Sequence, residues 1–150
     1  MKIYLDADAS PIAIREILYR ASERLKVPLV LVANTPLTIP QSSTISFVRV
    51  PAGFDEADDW ITGMVEDGDL VISEDVPLAD RVVSRGGFVI TTRGKLYTRD
   101  TIKERLSMRN LMEELRGSGI DTGGPAPFSP RDRNAFAACL DRFLSTNVGK

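Results

Sequence analysis

Residues 1–18 read MKIYLDADASPIAIREIL. An apolar run from Ile3 to Leu5 has strand character, and two aspartates, Asp6 and Asp8, follow it directly before a helical pattern begins. Two neighbouring carboxylates at a strand end repel each other, and they are costly to bury unless a cation or a proton is shared between them. The stretch therefore predicts a first strand that delivers a pair of acids to a site.

The rest of the chain alternates strand-length apolar runs with helical periodicity. Further strands are predicted at residues 29–33, 46–50, 70–73 and 88–92, and helices at 11–27, 55–68, 77–83, 101–116 and from 130 onward. This alternation is typical of an α/β fold, and we expect three layers with helices on both faces of a mostly parallel five-stranded sheet. A Gly- and Pro-rich loop at 117–130 and a C-terminal helix complete one predicted domain, 1–150.

Composition restricts the chemistry that this domain can perform. The 150 residues include no histidine and a single cysteine, Cys139. Imidazole bases, Ser-His-Asp triads, zinc–thiolate clusters and internal disulfides are therefore excluded, so acid–base and metal chemistry must fall to carboxylates, hydroxyls and lysine. The net charge of −2 predicts that any polyanion would be bound by a local basic patch. No apolar run is long enough to span a membrane and no signal peptide is visible, so we expect a cytoplasmic protein.

Local patterns suggest how three of the helices begin. Ser10 before Pro11 and Ser129 before Pro130 are typical of a capping hydroxyl followed by proline in the first turn. Asp55 is interpreted as a third helix cap.

More acids are expected at the same edge of the sheet as Asp6 and Asp8. Asp75 follows the fourth predicted strand, and Asp58 lies in the helix after the third, at the edge of its apolar stripe. Asp59 points about 100° away and is expected to face solvent. An oxygen-only ligand set suits Mg²⁺ or Mn²⁺, which can activate water and stabilise charge in phosphoryl chemistry. Asp6, Asp8 and Asp75 are the predicted metal ligands.

Basic side chains form a second predicted constellation. Arg93 and Lys95 follow the fifth strand, and Arg109 lies on the helix after them. Such groups could hold a polyanion beside an acidic centre, and a helix face balanced by glutamates is an equally good interpretation. Phe54 and Trp60 could stack on bases, although core packing is the preferred interpretation.

Six blocks of sequence carry a family resemblance. They are DADASP at 6–11, VPAGFDEAD at 50–58, GDLVIS with DVPLA at 68–79, RGKLYT at 93–98, ERLSMR at 104–109, and SGIDTGGP with SPRDR at 118–133. Together they resemble the YaiI/YqxD family of uncharacterised bacterial proteins, which is placed among PIN-like domains, a superfamily of metal-dependent nucleases. The resemblance covers nearly the whole chain, and it implies a PIN-like fold that cleaves nucleic acid, RNA in preference to single-stranded DNA.

The resemblance also implies roles for particular acids. Asp6, Asp58 and Asp75 match the superfamily's acidic positions, Asp8 is a further candidate specific to DADASP, and Asp80 could supply a last acid or be a surface charge. The family usually has cysteine where this chain has Ser10, so a mechanism that needs a thiol there is not expected, whereas a capping role is retained.

Two other functions fit parts of the pattern. The Asp-x-Asp pair also resembles the start of a haloacid-dehalogenase-type phosphatase, with Asp6 as nucleophile, Asp8 as acid–base partner, and Thr35 and Lys95 contacting phosphate. A non-catalytic module that binds RNA or protein is the other alternative. The loop at 117–130 is expected to fold over the acids as a lid that presents Arg131 or Arg133 to a substrate phosphate.

Overall fold

The computed structural model describes residues 1–53, 55–119 and 127–148. Its strands are β1 (Ile3–Asp6), β2 (Leu29–Ala33), β3 (Ile45–Arg49), β4 (Leu70–Ile72), β5 (Phe88–Ile90) and β6 (Leu96–Tyr97). Its α-helices are α1 (Ile12–Leu25), α2 (Glu56–Met64), α3 (Val76–Ser84), α4 (Arg99–Gly117) and α5 (Pro130–Asn147), and a single 3-10 turn, Ala7–Ala9, connects β1 to α1.

The strands form one sheet in the order β3-β2-β1-β4-β5-β6. The first five pair in parallel, as the sequence predicts, and β6 pairs antiparallel with β5. Within the described residues the sheet therefore has six strands rather than the predicted five. Because β1 lies between β2 and β4, the connection order reverses at β1, and the carboxyl end of this strand is where such sheets bind ligands.

The sixth strand results from a tight hairpin after β5. Thr91 donates its backbone N–H to the carbonyl of Lys95 at 2.8 Å, and Gly94 closes the turn onto the Thr91 carbonyl at 3.0 Å. Gly94 has a φ of 86°, which is typical of the three-residue hairpin loops that end in a left-handed residue. A strand of two residues has too little alternation to be predicted from its pattern.

The two faces of the sheet carry separate helical layers. Ile3 and Leu5 of β1 point into a core shared with α1 and α5, which contribute Leu18 and Phe136. Tyr4 points to the opposite face, where it packs with residues of α2, α3 and α4. This alternation along one strand confirms the predicted three-layer α/β arrangement.

Helix α5 begins as its sequence indicates. The Ser129 hydroxyl accepts a hydrogen bond from Asp132 N, and the Asp132 carboxylate accepts one from Ser129 N, so the two residues form a reciprocal capping box. The helical spacing of its apolar residues predicts one buried stripe, and these residues are buried: Phe136, Leu140, Phe143 and Leu144.

Two predicted helix starts differ from the structure. Ser10 does not cap α1, because Pro11 occupies the N-cap position and the Ser10 hydroxyl instead donates to the Asp6 carbonyl at 2.8 Å. Asp55 occupies the N-cap position of α2 but makes no capping hydrogen bond. Its backbone has a φ of 64°, whereas a capping residue normally has an extended backbone.

Helix α2 is also shorter than predicted. It ends at Met64 rather than near Gly68, and Met64, which the helical spacing of Ala57, Ile61, Met64 and Val65 predicts in a buried stripe, is exposed. Trp60 packs edge-on against Tyr4 with ring centroids 6.1 Å apart, in agreement with the preferred core interpretation. Phe54 lies outside the described residues, as does half of the predicted lid, residues 120–126. No helix in the described ranges is both long enough and apolar enough to cross a bilayer.

Candidate metal centre and nucleic-acid groove

Four predicted acids line one cavity at the carboxyl edge of the sheet. The cavity has a volume of about 320 Å³, and its acidic lining comes from the end of β1, the segment after β3 and the start of α3: Asp6, Asp8, Asp55, Glu56, Asp58 and Asp75. The central position of β1 explains the convergence, because the ends of β2 and β4 flank the end of β1. The structure therefore brings together acids that are far apart in the sequence.

Asp58 has the most perturbed carboxyl group of the cavity. Its side chain is half-buried, and burial raises its pKa to about 6, helped by the negative charges of Asp75, Asp6 and Asp55 and opposed by Arg81. A carboxyl group with this pKa exchanges its proton near neutral pH.

Asp6 is also half-buried. Burial raises its pKa above the usual range, and the charges of Asp8 and Asp75 raise it further, whereas a hydrogen bond from the Ala9 backbone lowers it. The acids of the cavity therefore destabilise one another's ionised forms, which is the condition that a bound cation would relieve.

Asp8 is exposed, and the segment after β2 holds its side chain. One carboxylate oxygen accepts a hydrogen bond from Asn34 N at 2.7 Å, and the other accepts one from the Thr35 hydroxyl at 2.8 Å. These bonds fix the turn after β1 to the end of β2. Asp8 thus has a positioning role that its place in the sequence did not indicate, and its predicted role as a metal ligand stays a prediction.

Asp75 lies at the N-cap of α3. One of its carboxylate oxygens accepts a hydrogen bond from Leu78 N at 2.8 Å, while the Ser73 hydroxyl accepts one from Asp75 N at 3.0 Å. The cap holds the Asp75 carboxylate at the start of the helix and leaves its second oxygen available to the cavity.

Three other acids of this region, Asp55, Asp59 and Asp80, differ in whether they line the acidic cavity. Asp59 is exposed, as predicted, and forms an ion pair with Arg81 at 3.0 Å. Asp80 lies within α3 and is absent from the cavity lining. Asp55, interpreted as a helix cap, instead lines the cavity and adds to the charge around Asp58.

The side chains of the acidic cavity are the type of ligand that a hard divalent cation prefers, but they are not close enough together to hold one. Every charged group of the lining is a carboxylate, which Mg²⁺ and Mn²⁺ prefer. Across residues 1–53, 55–119 and 127–148, however, no group of three or more acidic, cysteine or histidine side chains is close enough to hold a metal ion. Binding would require the carboxylates to approach one another, and Asp8 would have to exchange its hydrogen bonds from Asn34 N and the Thr35 hydroxyl for the cation.

A larger basic groove adjoins the acidic cavity. It has a volume of about 740 Å³, and Ala9 and Asp75 line both spaces. Its wall includes four arginines, two acids and several apolar groups: Arg93, Arg105, Arg109, Arg116, Glu74, Asp75, Met108, Met112 and Phe128. Positive charge therefore lies directly beside the acids, although the net charge of the chain is negative.

Arg93 and Glu74 connect the groove to the sheet. The Arg93 guanidinium donates to the Asp132 carboxylate at 2.9 Å, and a Glu74 carboxylate oxygen accepts hydrogen bonds from the Thr92 hydroxyl at 2.6 Å and from Arg93 N at 3.2 Å. Arg109 is paired with Glu113 at 3.0 Å on the same helix. The wall of the groove is thus built mainly from the segment between β4 and α3, the hairpin after β5, and α4.

Two of the predicted substrate-binding residues lie elsewhere, and a third is exposed on α5. Lys95 lines a cavity of about 310 Å³ that shares Arg105 and Met108 with the groove. Arg133 lines a different cavity, of about 380 Å³, with residues of α1, and no acid of the candidate metal centre lines it. Arg131 is exposed in the first turn of α5.

Comparison with known proteins identifies the family. A family model described as "Uncharacterized BCR, YaiI/YqxD family" matches residues 4–146. The chain belongs to the YaiI/YqxD family. Three similar proteins are each named UPF0178 protein: one from Cupriavidus pinatubonensis is 52% identical over 148 residues, with 99% of each chain covered. One from Citrifermentans bemidjiense is 55% identical over 148 residues, covering 99% of this chain and 96% of the relative.

The third, from Herminiimonas arsenicoxydans, is 52% identical over 150 residues, with both chains fully covered. No solved structure matches the chain. In this member of the YaiI/YqxD family, DADASP, VPAGFDEAD and DVPLA meet at the acidic cavity, and part of ERLSMR lies along the groove.

Sequence reasoning missed several groups at this YaiI/YqxD site. Asn34, Glu74, Met112 and Phe128 contribute to the cavity or the groove without belonging to any motif that suggests a function. The helical spacing of Arg105, Arg109 and Met112 was the one available signal, but it does not show which surface that face of α4 meets.

Proposed function

We propose that this protein is a metal-dependent nuclease that hydrolyses phosphodiester bonds, with RNA preferred over single-stranded DNA. The observation that carries the proposal is the convergence of Asp6, Asp58 and Asp75, from three separate segments, on one cavity beside an arginine-rich groove. The preference for RNA rests on the resemblance to PIN-like nucleases.

The acids of the cavity have different roles in the proposed reaction. Asp6 and Asp75, with Asp8 as a third candidate, would hold Mg²⁺ or Mn²⁺, which when bound supplies an activated water and stabilises charge on the phosphate oxygens. Asp58, a half-buried acid of the same cavity, is placed to accept the proton of the attacking water. As the water oxygen bonds to phosphorus, the bond to the leaving oxygen breaks, and the leaving oxygen takes up a proton from solvent water.

The position of Lys95 favours a nuclease over the phosphatase alternative. Lys95, the candidate phosphate ligand, lines a cavity that contains neither Asp6 nor Asp8. A non-catalytic binding module would not need a half-buried acid at the position of Asp58.

The test is cleavage of mixed RNA oligonucleotides by purified protein in the presence of Mn²⁺, compared with the Asp75→Asn variant. Asparagine caps helices as well as aspartate does, so this variant keeps the bond from Leu78 N and loses only the charge. We expect metal-dependent cleavage by the wild type and at least a 100-fold slower rate for Asp75→Asn. Asp141→Asn, which changes an exposed acid on α5, is the matched control and should cleave like the wild type.

Equal cleavage by the wild type and Asp75→Asn would indicate a contaminating nuclease and contradict the proposal. A phosphoryl group trapped on Asp6 would instead support the phosphatase alternative.

A further inference from the structure

The basic groove differs from an ordinary charged helix face in its mixture of side chains. Arg105, Met108, Arg109, Met112 and Arg116 are spaced so that they share one face of α4, and all five line the groove. Arginine alternates with methionine along this face. A surface adapted only to solvent would have no reason to expose thioethers between its charges, and Met108 is 45% exposed.

The charges are placed to hold phosphates. Arg105 and Arg109 are one helical turn apart, a rise of about 6 Å, which allows each to contact a different phosphate of one strand. The ion pair of Arg109 with Glu113 is half-exposed and contributes little, so a phosphate can replace it. The lining as a whole contains four arginines against two acids.

The apolar groups are placed to contact bases. Met108, Met112 and the half-buried Phe128 lie in the same groove as the arginines. Polarizable sulfur and aromatic surfaces stack on any base, but they reach bases only when a strand is unpaired, because a duplex presents its phosphates outward. The combination favours single strands over duplexes.

The groove is continuous with its neighbours at both ends. It shares Asp75 with the acidic cavity and Arg105 with the cavity beside Lys95. A strand lying in it would have one phosphate at the acids and the next phosphates at Arg109 and Arg105, with Lys95 at the far end.

We propose that this face of α4 is the binding site for an unpaired polynucleotide strand, with Arg105 and Arg109 on successive phosphates and Met108 and Met112 on the bases between them. The inference rests on the proposed nuclease function for the identity of its ligand, but the binding itself does not require cleavage.

The experiment measures fluorescence anisotropy of labelled 12-nucleotide strands over a salt series in EDTA, so that no cleavage occurs. RNA and DNA of one sequence are compared with the corresponding duplexes. Because each phosphate contact on a single strand contributes about 0.7 to the slope of log affinity against log salt, Arg105→Ala/Arg109→Ala should reduce the slope by about 1.4 and the affinity about 10-fold. Met108→Ala/Met112→Ala should lower the affinity several-fold without changing the slope.

The matched control is Arg20→Ala/Arg24→Ala, which removes the same charge at the same spacing from α1; Arg24 pairs with Asp141 as Arg109 pairs with Glu113. This variant should bind like the wild type. Tighter binding of RNA than of DNA identifies RNA as the natural strand, and equal binding of both supports the groove as a site for either.

The inference would be overturned if the α1 and α4 variants lost equal affinity for single strands, or if duplexes bound as tightly as single strands. The two proposals can fail separately. If the arginine variant of α4 lowers the salt slope but the wild type shows no Mn²⁺-dependent cleavage, the strand-binding site is supported and the nuclease function is rejected. If the wild type cleaves RNA but the α4 variants bind strands as the wild type does, the nuclease function is supported and the binding site on α4 is rejected.

Discussion

Replacing Asp58 with asparagine should stabilise the metal-free protein at neutral pH. The pKa of this carboxyl group rises from 3.8 to about 6 in the folded state, mainly because of burial and then because of Asp75 and Asp6. The folded state therefore binds the proton more tightly than the unfolded chain does between about pH 4 and pH 6. The favourable contribution of the protonated group is present below pH 4, and it is lost as pH rises through about 6.

The size of the effect follows from the pKa. Each pKa unit corresponds to about 1.4 kcal/mol, so ionised Asp58 destabilises the fold at pH 7.5 by at most about 3 kcal/mol. Because the side chain is only half-buried, solvent screening reduces this value, and we expect a gain of about 1 to 2 kcal/mol from Asp58→Asn. For a chain of 150 residues this gain raises Tm by about 3 to 6 °C.

The assay is thermal unfolding of both proteins in EDTA at pH 7.5 and at pH 4. Asp59→Asn is the control, because it removes the next acid of α2, which is exposed and makes only a surface ion pair with Arg81. This variant should change stability by no more than about 0.5 kcal/mol. If Asp58→Asn has the Tm of the wild type at pH 7.5, or if its gain is equally large at pH 4, the electrostatic reasoning is refuted.

Two other predictions test the turn after β5 and the cation site. Gly94→Ala should destabilise the protein by more than about 2 kcal/mol in urea unfolding, because a Cβ at this positive φ would lie 2.5 Å from the Ala135 carbonyl. Gly63→Ala in α2, where a Cβ would meet nothing within 4 Å, should instead be neutral or stabilising by up to about 1 kcal/mol. A similar loss of stability in the Gly94→Ala and Gly63→Ala variants would contradict this explanation. Calorimetric titration with Mn²⁺ should give heat with the wild type and little with Asp6→Asn, and Mn²⁺ at ten times its Kd should add about 1.4 kcal/mol of stability. Identical, negligible heats from both proteins would remove the metal site from consideration.

The core of the sheet was predictable because its strands are covered on both faces. Such strands have continuous apolar sequences, as in residues 29–33 and 70–72, and these need no information from distant parts of the chain. The positions of Asp58 and Asp59 were predictable for a similar reason, since the helical period alone assigns them to different faces.

Features that depend on backbone detail or on distant contacts were not predictable. Asp55 resembles a helix cap in sequence, but its positive φ is a property of the turn before α2. The groove depends on how α4 packs against α3 and the hairpin after β5, and no local pattern encodes that contact. Asp8 could be predicted as one of a pair of acids, whereas its hydrogen bonds to Asn34 and Thr35 required the pairing of β1 with β2.

The central place of β1 in the sheet has a consequence for synthesis on the ribosome. Because β1 is made before its neighbour β4, it must remain unpaired along one side until β4, about 65 residues later, is available beside it. An unpaired strand edge invites association with other chains, so a partly made polypeptide is exposed to aggregation during this interval. The same delay means that Asp6 and Asp75 meet only after the residues between them have been translated, so the nascent protein cannot form the acidic cavity before that point.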